Sequence, residues 1–244
     1  MIRAILAMVW AVLFLIVSMP VHLIYLLIGR FSTARRDRFM QAWVKAGFRV
    51  VLFLCGVRVT VKGKENIPKD RACVYYANHR SIFDVIAAYT CLPAPTGVLA
   101  KQELGRIPLL NIMMKDIYCL FLDRSSAEKG LATIMQAIDI VKSGVSYMVY
   151  PEGTRNREEG TLLPFHAGSF KIALRTQAPI VPLTIVNTGD IFEPHKPFVK
   201  PQHVILDFGG PIETKTIRPA DRKKLPDEVR GIIAETYERD RAEL

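Results

Sequence analysis

The stretch "ACVYYANHRSIFD", Ala72 to Asp84, changes character at its middle. Its first half is a short apolar run rich in strand formers and reads as a buried strand. Its second half reads as a helix start, because Ser81 followed three residues later by Asp84 is a capping-box-like pair, with the Asp84 carboxylate in a first turn where the dipole favours it. A strand that runs straight into a helix is the repeating unit of an α/β sheet.

The same alternation extends outward. Strand signals stand at "VRVTVKG", "GVLA", "IYCLFL", "SYMVY", "IVPLTIV" and "VILDF". Between and after them lie helical patterns from about Glu103 to Met114, Ser126 to Lys142, Gly168 to Thr176, and from Pro226 onward. We expect a mixed α/β sheet covered by helices over residues 57–244, with functional groups on loops past the strand ends.

The N-terminal part differs. "AILAMVWAVLFLIVSMPVHLIYLLIG", Ala4 to Gly29, is long enough to cross a membrane, and Pro20 leaves open whether it spans or bends within one leaflet. Arg30, Arg35, Arg36 and Arg38 follow, and basic residues beside a membrane segment stay cytoplasmic. The next run, Phe39 to Gly56, has helical spacing and suits an interfacial or second anchor helix. Residues 1–56 are therefore expected to anchor the chain at the inner membrane, with the rest facing the cytoplasm.

In all, 33 Lys and Arg against 23 Asp and Glu give a formal charge of +10, which suits an anionic partner. The apolar N-terminus and the lack of interleaved aromatic and basic residues point to a phospholipid surface rather than nucleic acid. Cys55, Cys73, Cys91 and Cys119 form no C-x-x-C pair and read as core packing in a reducing compartment, with no metal site indicated.

Three strand-end stretches carry chemistry. His79 lies just before the helix start, where a neutral imidazole is favoured, and Asp84 is one turn on, placed to orient it as a general base. "CLFLDRSS" ends a strand with Asp123 and Arg124, and "YPEGTRNREEG" places Glu152, Gly153, Thr154 and Arg155 in a turn where Arg offers a planar fork for phosphate. Backbone N–H groups near Ser81 are candidate donors to an oxyanion. The other histidines, His22, His166, His195 and His203, are read as having no carboxylate at a comparable spacing, and most are expected to be packing or surface residues.

These stretches together carry a resemblance. "NHRSIFD" is similar to the NHxxxxD block of the glycerolipid acyltransferases, "LFLDR" resembles their second block, "YPEGTR" their EGTR block and "APIVPL" their apolar fourth block, in family order from about Cys73 to Leu183. Tyr118 and Asn111 stand where the family often has Gly. The resemblance implies transfer of a fatty acyl group from acyl-CoA or acyl-carrier-protein to the free hydroxyl of a lysophospholipid, foremost 1-acylglycerol 3-phosphate, with no cofactor. It further implies His79 as general base with Asp84, and a phosphate site of Arg124, Arg155 and Lys101 shaped by Glu152, Gly153 and Thr154. Other acceptors, an acyl-thioester hydrolase and a non-catalytic lipid-binding module are the alternative readings.

Overall fold

A computed structural model of the chain describes residues 1–123 and 125–244. Seven strands, β1 (Arg58–Lys62), β2 (Val74–Ala77), β3 (Thr96–Lys101), β4 (Leu120–Leu122), β5 (Ser146–Val149), β6 (Ile180–Val186) and β7 (His203–Phe208), form one sheet in the order β1-β7-β6-β2-β5-β3-β4. The sheet is mixed, as expected: β6 and β7 pair antiparallel and every other neighbouring pair is parallel. Consequently β2, β3, β4, β5 and β6 all end at one edge, and the loops that leave it converge.

Alternation along β2 sorts the core into two layers. Tyr75 and Ala77 face a cluster that includes Met148, Leu183 and Phe83, whereas Val74 and Tyr76 face one that includes Ile138, Phe170 and Val229. The first layer is covered by helices α1 (Ile2–Gly29), α2 (Thr33–Cys55), α3 (Ile82–Tyr89) and α4 (Leu110–Asp116), the second by α5 (Ala127–Lys142), α6 (Ala167–Thr176) and α7 (Leu225–Arg241). Each fully buried large apolar side chain stabilises the fold by about 1.5–3 kcal/mol. Tyr76 adds specificity, stacking on Phe170 at 4.2 Å while its hydroxyl donates to the Ser169 carbonyl at 2.9 Å.

At the N-terminus α1 is one helix of 28 residues that continues through Pro20. It is long and apolar enough to cross a membrane, and most of its large apolar side chains are exposed. α2 starts at Thr33, six residues before the expected Phe39, because Ser32 caps it by accepting from the Arg35 N–H at 3.3 Å; the Arg-rich first turn carries no apolar period to announce it. The two helices form a hairpin. Trp10 donates to the Gly47 carbonyl at 3.1 Å, Trp43 donates to Ser18 Oγ at 2.8 Å, and Phe14 stacks on Trp43 at 5.1 Å. Phe14, Val21, Met40 and Val44 belong to the same core cluster as Tyr75, so the hairpin and the sheet share one core.

The expected helix from Glu103 to Met114 is broken. A short 3-10 turn, Gln102–Arg106, is followed by Pro108 and by Leu109 at φ +63°, and α4 starts only at Leu110. Pro108 has no N–H to give a helix and its ring disfavours a helical residue before it. Tyr118 also has a positive φ, +59°, the region glycine occupies without strain. Its hydroxyl accepts from Arg36 at 2.9 Å and donates to Asp37 at 2.8 Å, which ties β4's entry to the start of α2.

Candidate active site

β2 leads directly into the site. Asn78 is fully buried and its side-chain amide bonds both backbone groups of Ile185 on neighbouring β6, each at 2.8 Å, which fixes the exit of β2. His79 follows. Its N–H donates to Glu152 Oε1 at 2.7 Å and its carbonyl accepts from the Asn156 N–H at 2.7 Å, so the loop after β5 grips the His79 backbone on both sides. The ring lies against Tyr150, centroids 4.2 Å apart at 28°, and its Nδ1 sits 2.8 Å from Asp84 Oδ2.

Asp84 is fully buried and every oxygen is used. Oδ2 accepts from His79, from the Arg80 N–H at 2.6 Å and from the Ser81 N–H at 2.8 Å, and Oδ1 accepts from the Thr188 hydroxyl. Donors of this number hold the carboxylate in one orientation, and Oδ2 is placed to accept the hydrogen on Nδ1, so Asp84 fixes the imidazole's tautomer as one that carries hydrogen there. Nε2 then has the free lone pair, and it has no protein partner among the described residues. The capping box around Ser81 forms as well, since Ser81 Oγ accepts from the Phe83 N–H at 3.1 Å.

The amides at the start of α3 are therefore spent. Those of Arg80 and Ser81 go to Asp84, that of Ile82 to Glu193 Oε1 at 2.9 Å and that of Phe83 to Ser81. The expectation that they serve an oxyanion is corrected: a donor already engaged in the fold cannot also receive the developing charge.

Glu152 sits deeper than a surface phosphate ligand would. It is 2% exposed, and its two oxygens accept from the His79 and Leu163 amides at 2.7 and 2.9 Å. Burial pushes its carboxyl up from the ordinary value, the two amides acting against that. Gly153 turns the chain at φ +73°, Thr154 is exposed, and Arg155 holds its guanidinium 3.3 Å from Glu193. Lys101 ends β3 with its ammonium 2.9 Å from Glu103. Arg124 lies outside the described residues; the preceding Asp123 accepts from Ser125, which holds its carboxyl down to about 2.

His79, Lys101, Gly153, Thr154 and Arg155 all line one cavity of about 1740 Å³. It is mostly apolar beyond His79, running between the sheet and the hairpin to Phe14, Gly47 and Met113. The site thus offers a histidine with a free nitrogen at the meeting of a long apolar cavity and a basic rim.

Three of its contributors were not singled out from sequence: Asn156, Thr188 and Glu193. Each lies far along the chain from His79, and each belongs to a residue type common in loops, so no local signal marks it. Two further His–carboxylate pairs also form, His22 Nδ1 with Asp116 at 2.6 Å and His195 Nε2 with Asp190 at 2.7 Å, against the expectation for those histidines. The second has the five-residue spacing of the His79 pair, in reverse order. Neither His22 nor His195 lines the cavity, and that separates them from His79.

An acyltransferase family model matches residues 58–186, which takes in β1 to β6, the His79–Asp84 pair and the loop after β5. The chain belongs to this acyltransferase family. It is 31% identical over 195 residues to the 1-acyl-sn-glycerol-3-phosphate acyltransferase of Borreliella burgdorferi, covering 80% of this chain and 78% of that protein. It is 30% identical over 201 residues to the enzyme of the same name from Saccharomyces cerevisiae, covering 81% of this chain and 66% of the yeast protein. Among solved structures, the 1-acyl-sn-glycerophosphate acyltransferase PlsC of Thermotoga maritima shares the fold with a TM-score of 0.78 at 23% identity, over 98% of this chain and 97% of that one. The protein is accordingly an acyltransferase enzyme, acting between an acyl donor and a lipid acceptor, and the fold expected from the alternation of strands and helices is the PlsC fold.

Proposed function

We propose that the enzyme transfers a fatty acyl group from an acyl-CoA or acyl-carrier-protein thioester to the free hydroxyl of 1-acylglycerol 3-phosphate, giving phosphatidic acid. The observation that carries this reading is the His79–Asp84 pair, 2.8 Å apart, at the mouth of a cavity that is apolar inward and basic at its rim. The relatives' names support the acceptor.

In the reaction His79 Nε2 takes the proton of the acceptor hydroxyl as its oxygen attacks the thioester carbonyl, and Asp84 steadies the imidazolium that forms. The tetrahedral intermediate then collapses with cleavage of the carbon–sulfur bond. The proton on His79 passes to the leaving sulfur, so an ester and a free thiol result. A thioester is activated already, and no acyl-enzyme is required; Ser81, whose hydroxyl is engaged in the helix cap and with Glu193, has no nucleophilic part. Arg155 and Arg124, with Lys101, bind the acceptor phosphate, and Gly153 and Thr154 shape that seat while Glu152 holds its loop to His79.

Residues 1–56 anchor the enzyme, with α1 in the inner membrane and residues 57–244 on the cytoplasmic side, where both substrates are reached. The exposed apolar surface of α1 and the arginines from Arg30 to Arg38 support this placement.

The test is thiol release from a long-chain acyl-CoA, then from an acyl-carrier-protein, by purified protein in mixed micelles with and without lysophosphatidate. Acceptor-dependent release that collapses in Asp84→Asn is the expected result. Release that ignores the acceptor would identify a thioester hydrolase instead, and no release from either donor would leave a lipid-binding module.

A further inference from the structure

The geometry points to Glu193 as the residue that positions Arg155 for the acceptor phosphate. The inference rests on the reading that Arg155 binds that phosphate.

Glu193 opens a short 3-10 turn, Glu193–His195, in the connection from β6 to β7. Its carboxylate is bound at three points: Oε2 accepts from Ser81 Oγ at 2.7 Å, and Oε1 accepts from the Ile82 N–H at 2.9 Å and from Arg155 Nη1 at 3.3 Å. The connection that carries it is itself held closed. Asp190 gathers His195, Lys200 and Gln202, each at 2.7 Å, and the Lys200 N–H donates to the Ile191 carbonyl at 2.9 Å. Thr188, on the same connection, is the donor to Asp84 Oδ1. One segment after β6 thus touches both the orienting carboxylate and the arginine.

Two of the three contacts to Glu193 come from the start of α3, so its position does not depend on Arg155. The arginine is the looser partner, on the rim, with 43% of its side chain exposed, and a free arginine side chain samples many rotamers. Glu193 engages one guanidinium nitrogen and leaves the remaining donors of the fork to a phosphate. Holding the fork before substrate arrives removes part of the ordering cost from binding. A competing role, with the carboxylate occupying the phosphate's seat, would set it on several guanidinium donors at once, and it meets a single one.

The measurement is KM for lysophosphatidate in Glu193→Gln, Arg155→Ala and the double variant of the full-length protein in mixed micelles, with thermal unfolding as the check on folding. Gln keeps an acceptor for the Ile82 amide and removes the charge that holds Arg155. The expected result is a three- to fivefold rise in KM, about what a half-exposed ion pair supplies, with kcat changed by less than about twofold. In the Arg155→Ala background the same substitution is expected to change KM by less than about 1.5-fold, because the group it acts through is gone. A fall in KM would mean that the carboxylate competes with phosphate and would overturn the inference. So would an unchanged KM, or an equal rise in both backgrounds, which marks a general effect on α3. If Arg155→Ala alone leaves KM unchanged, it is the phosphate reading of Arg155 that fails. Should the Gln variant not fold, Glu193→Asp, which keeps the charge but withdraws it from Arg155, replaces it with the same expectations.

Discussion

Glu152 holds His79 by the main chain and never touches its ring: Oε1 accepts the His79 N–H at 2.7 Å while Oε2 accepts the Leu163 N–H at 2.9 Å. The EGTR loop therefore acts on the proposed base from beneath. Glu152→Gln leaves one of the two buried amides facing an NH₂ group, and a lost buried acceptor costs about 1–3 kcal/mol. Chemical denaturation should report that loss.

The same carboxyl gives a pH dependence whose sign can be worked out. Its folded pKa is raised by burial, so the folded state holds this proton more tightly than the unfolded chain. Its contribution to stability is fully present below the unfolded value of about 4.3 and is lost as pH rises through the raised folded value. The stability deficit of Glu152→Gln against wild type should consequently be larger near pH 4 than near pH 7, as read from denaturation midpoints at the two values. An equal deficit would mean that the amides balance burial, and a larger deficit near pH 7 that they outweigh it.

His79→Ala should reduce kcat by about a hundred- to ten-thousandfold, the range that general base catalysis supplies, and lower the thermal midpoint less than Asp84→Asn does, since only the ring's contacts with Tyr150 and Asp84 are lost. Asp84→Asn should reduce kcat and lower the midpoint further, because it disturbs the tautomer and also places an NH₂ group where the Arg80 or Ser81 amide now donates. Calorimetry beside the activity assay separates the two variants.

At Gly47 the two helices of the hairpin approach closely. A Cβ there would lie 2.4 Å from the Phe14 ring, which is stacked on Trp43 and cannot retreat freely. Gly47→Ala gains about 1 kcal/mol of helix propensity but loses about 1–3 kcal/mol to overpacking, so a net loss is expected. Adding Phe14→Leu should recover part of it in a double-mutant cycle.

The four thiols should divide by environment. Burial pushes the Cys55 thiol up to about 11 and the Cys119 thiol up to about 12, and raises that of Cys73 as well, whereas Cys91 is the one that is partly exposed. Iodoacetamide at about pH 8 to 9 should therefore label Cys91 first in the native protein, since the other three are covered and burial disfavours their thiolates; peptide mass spectrometry reads the order.

How much of this could be read beforehand follows from where the information sits in the chain. The β2–α3 unit was legible because the strand, the Ser81 cap and the His79–Asp84 spacing are all local. The break at Pro108 was missed although proline is a local signal, because the apolar period on either side of it runs on as if one helix were present. The early start of α2 was missed because charged residues fill its first turn. Thr188 and Glu193 could not have been found, as their roles exist only once β6 is paired with β2 and the loop beyond it reaches across to α3.

Asp84 serves twice, as the helix-capping carboxylate and as the partner of His79, and this joins two events that other sites can keep apart. If the first turn of α3 frays, the Arg80 and Ser81 amides leave Asp84 and the imidazole loses its orientation in the same motion. With His79 as the base proposed above, local opening of one helix end is then a complete off state, reached without a hinge or a ligand. The amide protons of Arg80 and Ser81 become natural clocks for it: their exchange with deuterium times how often the enzyme is, for an instant, no enzyme at all.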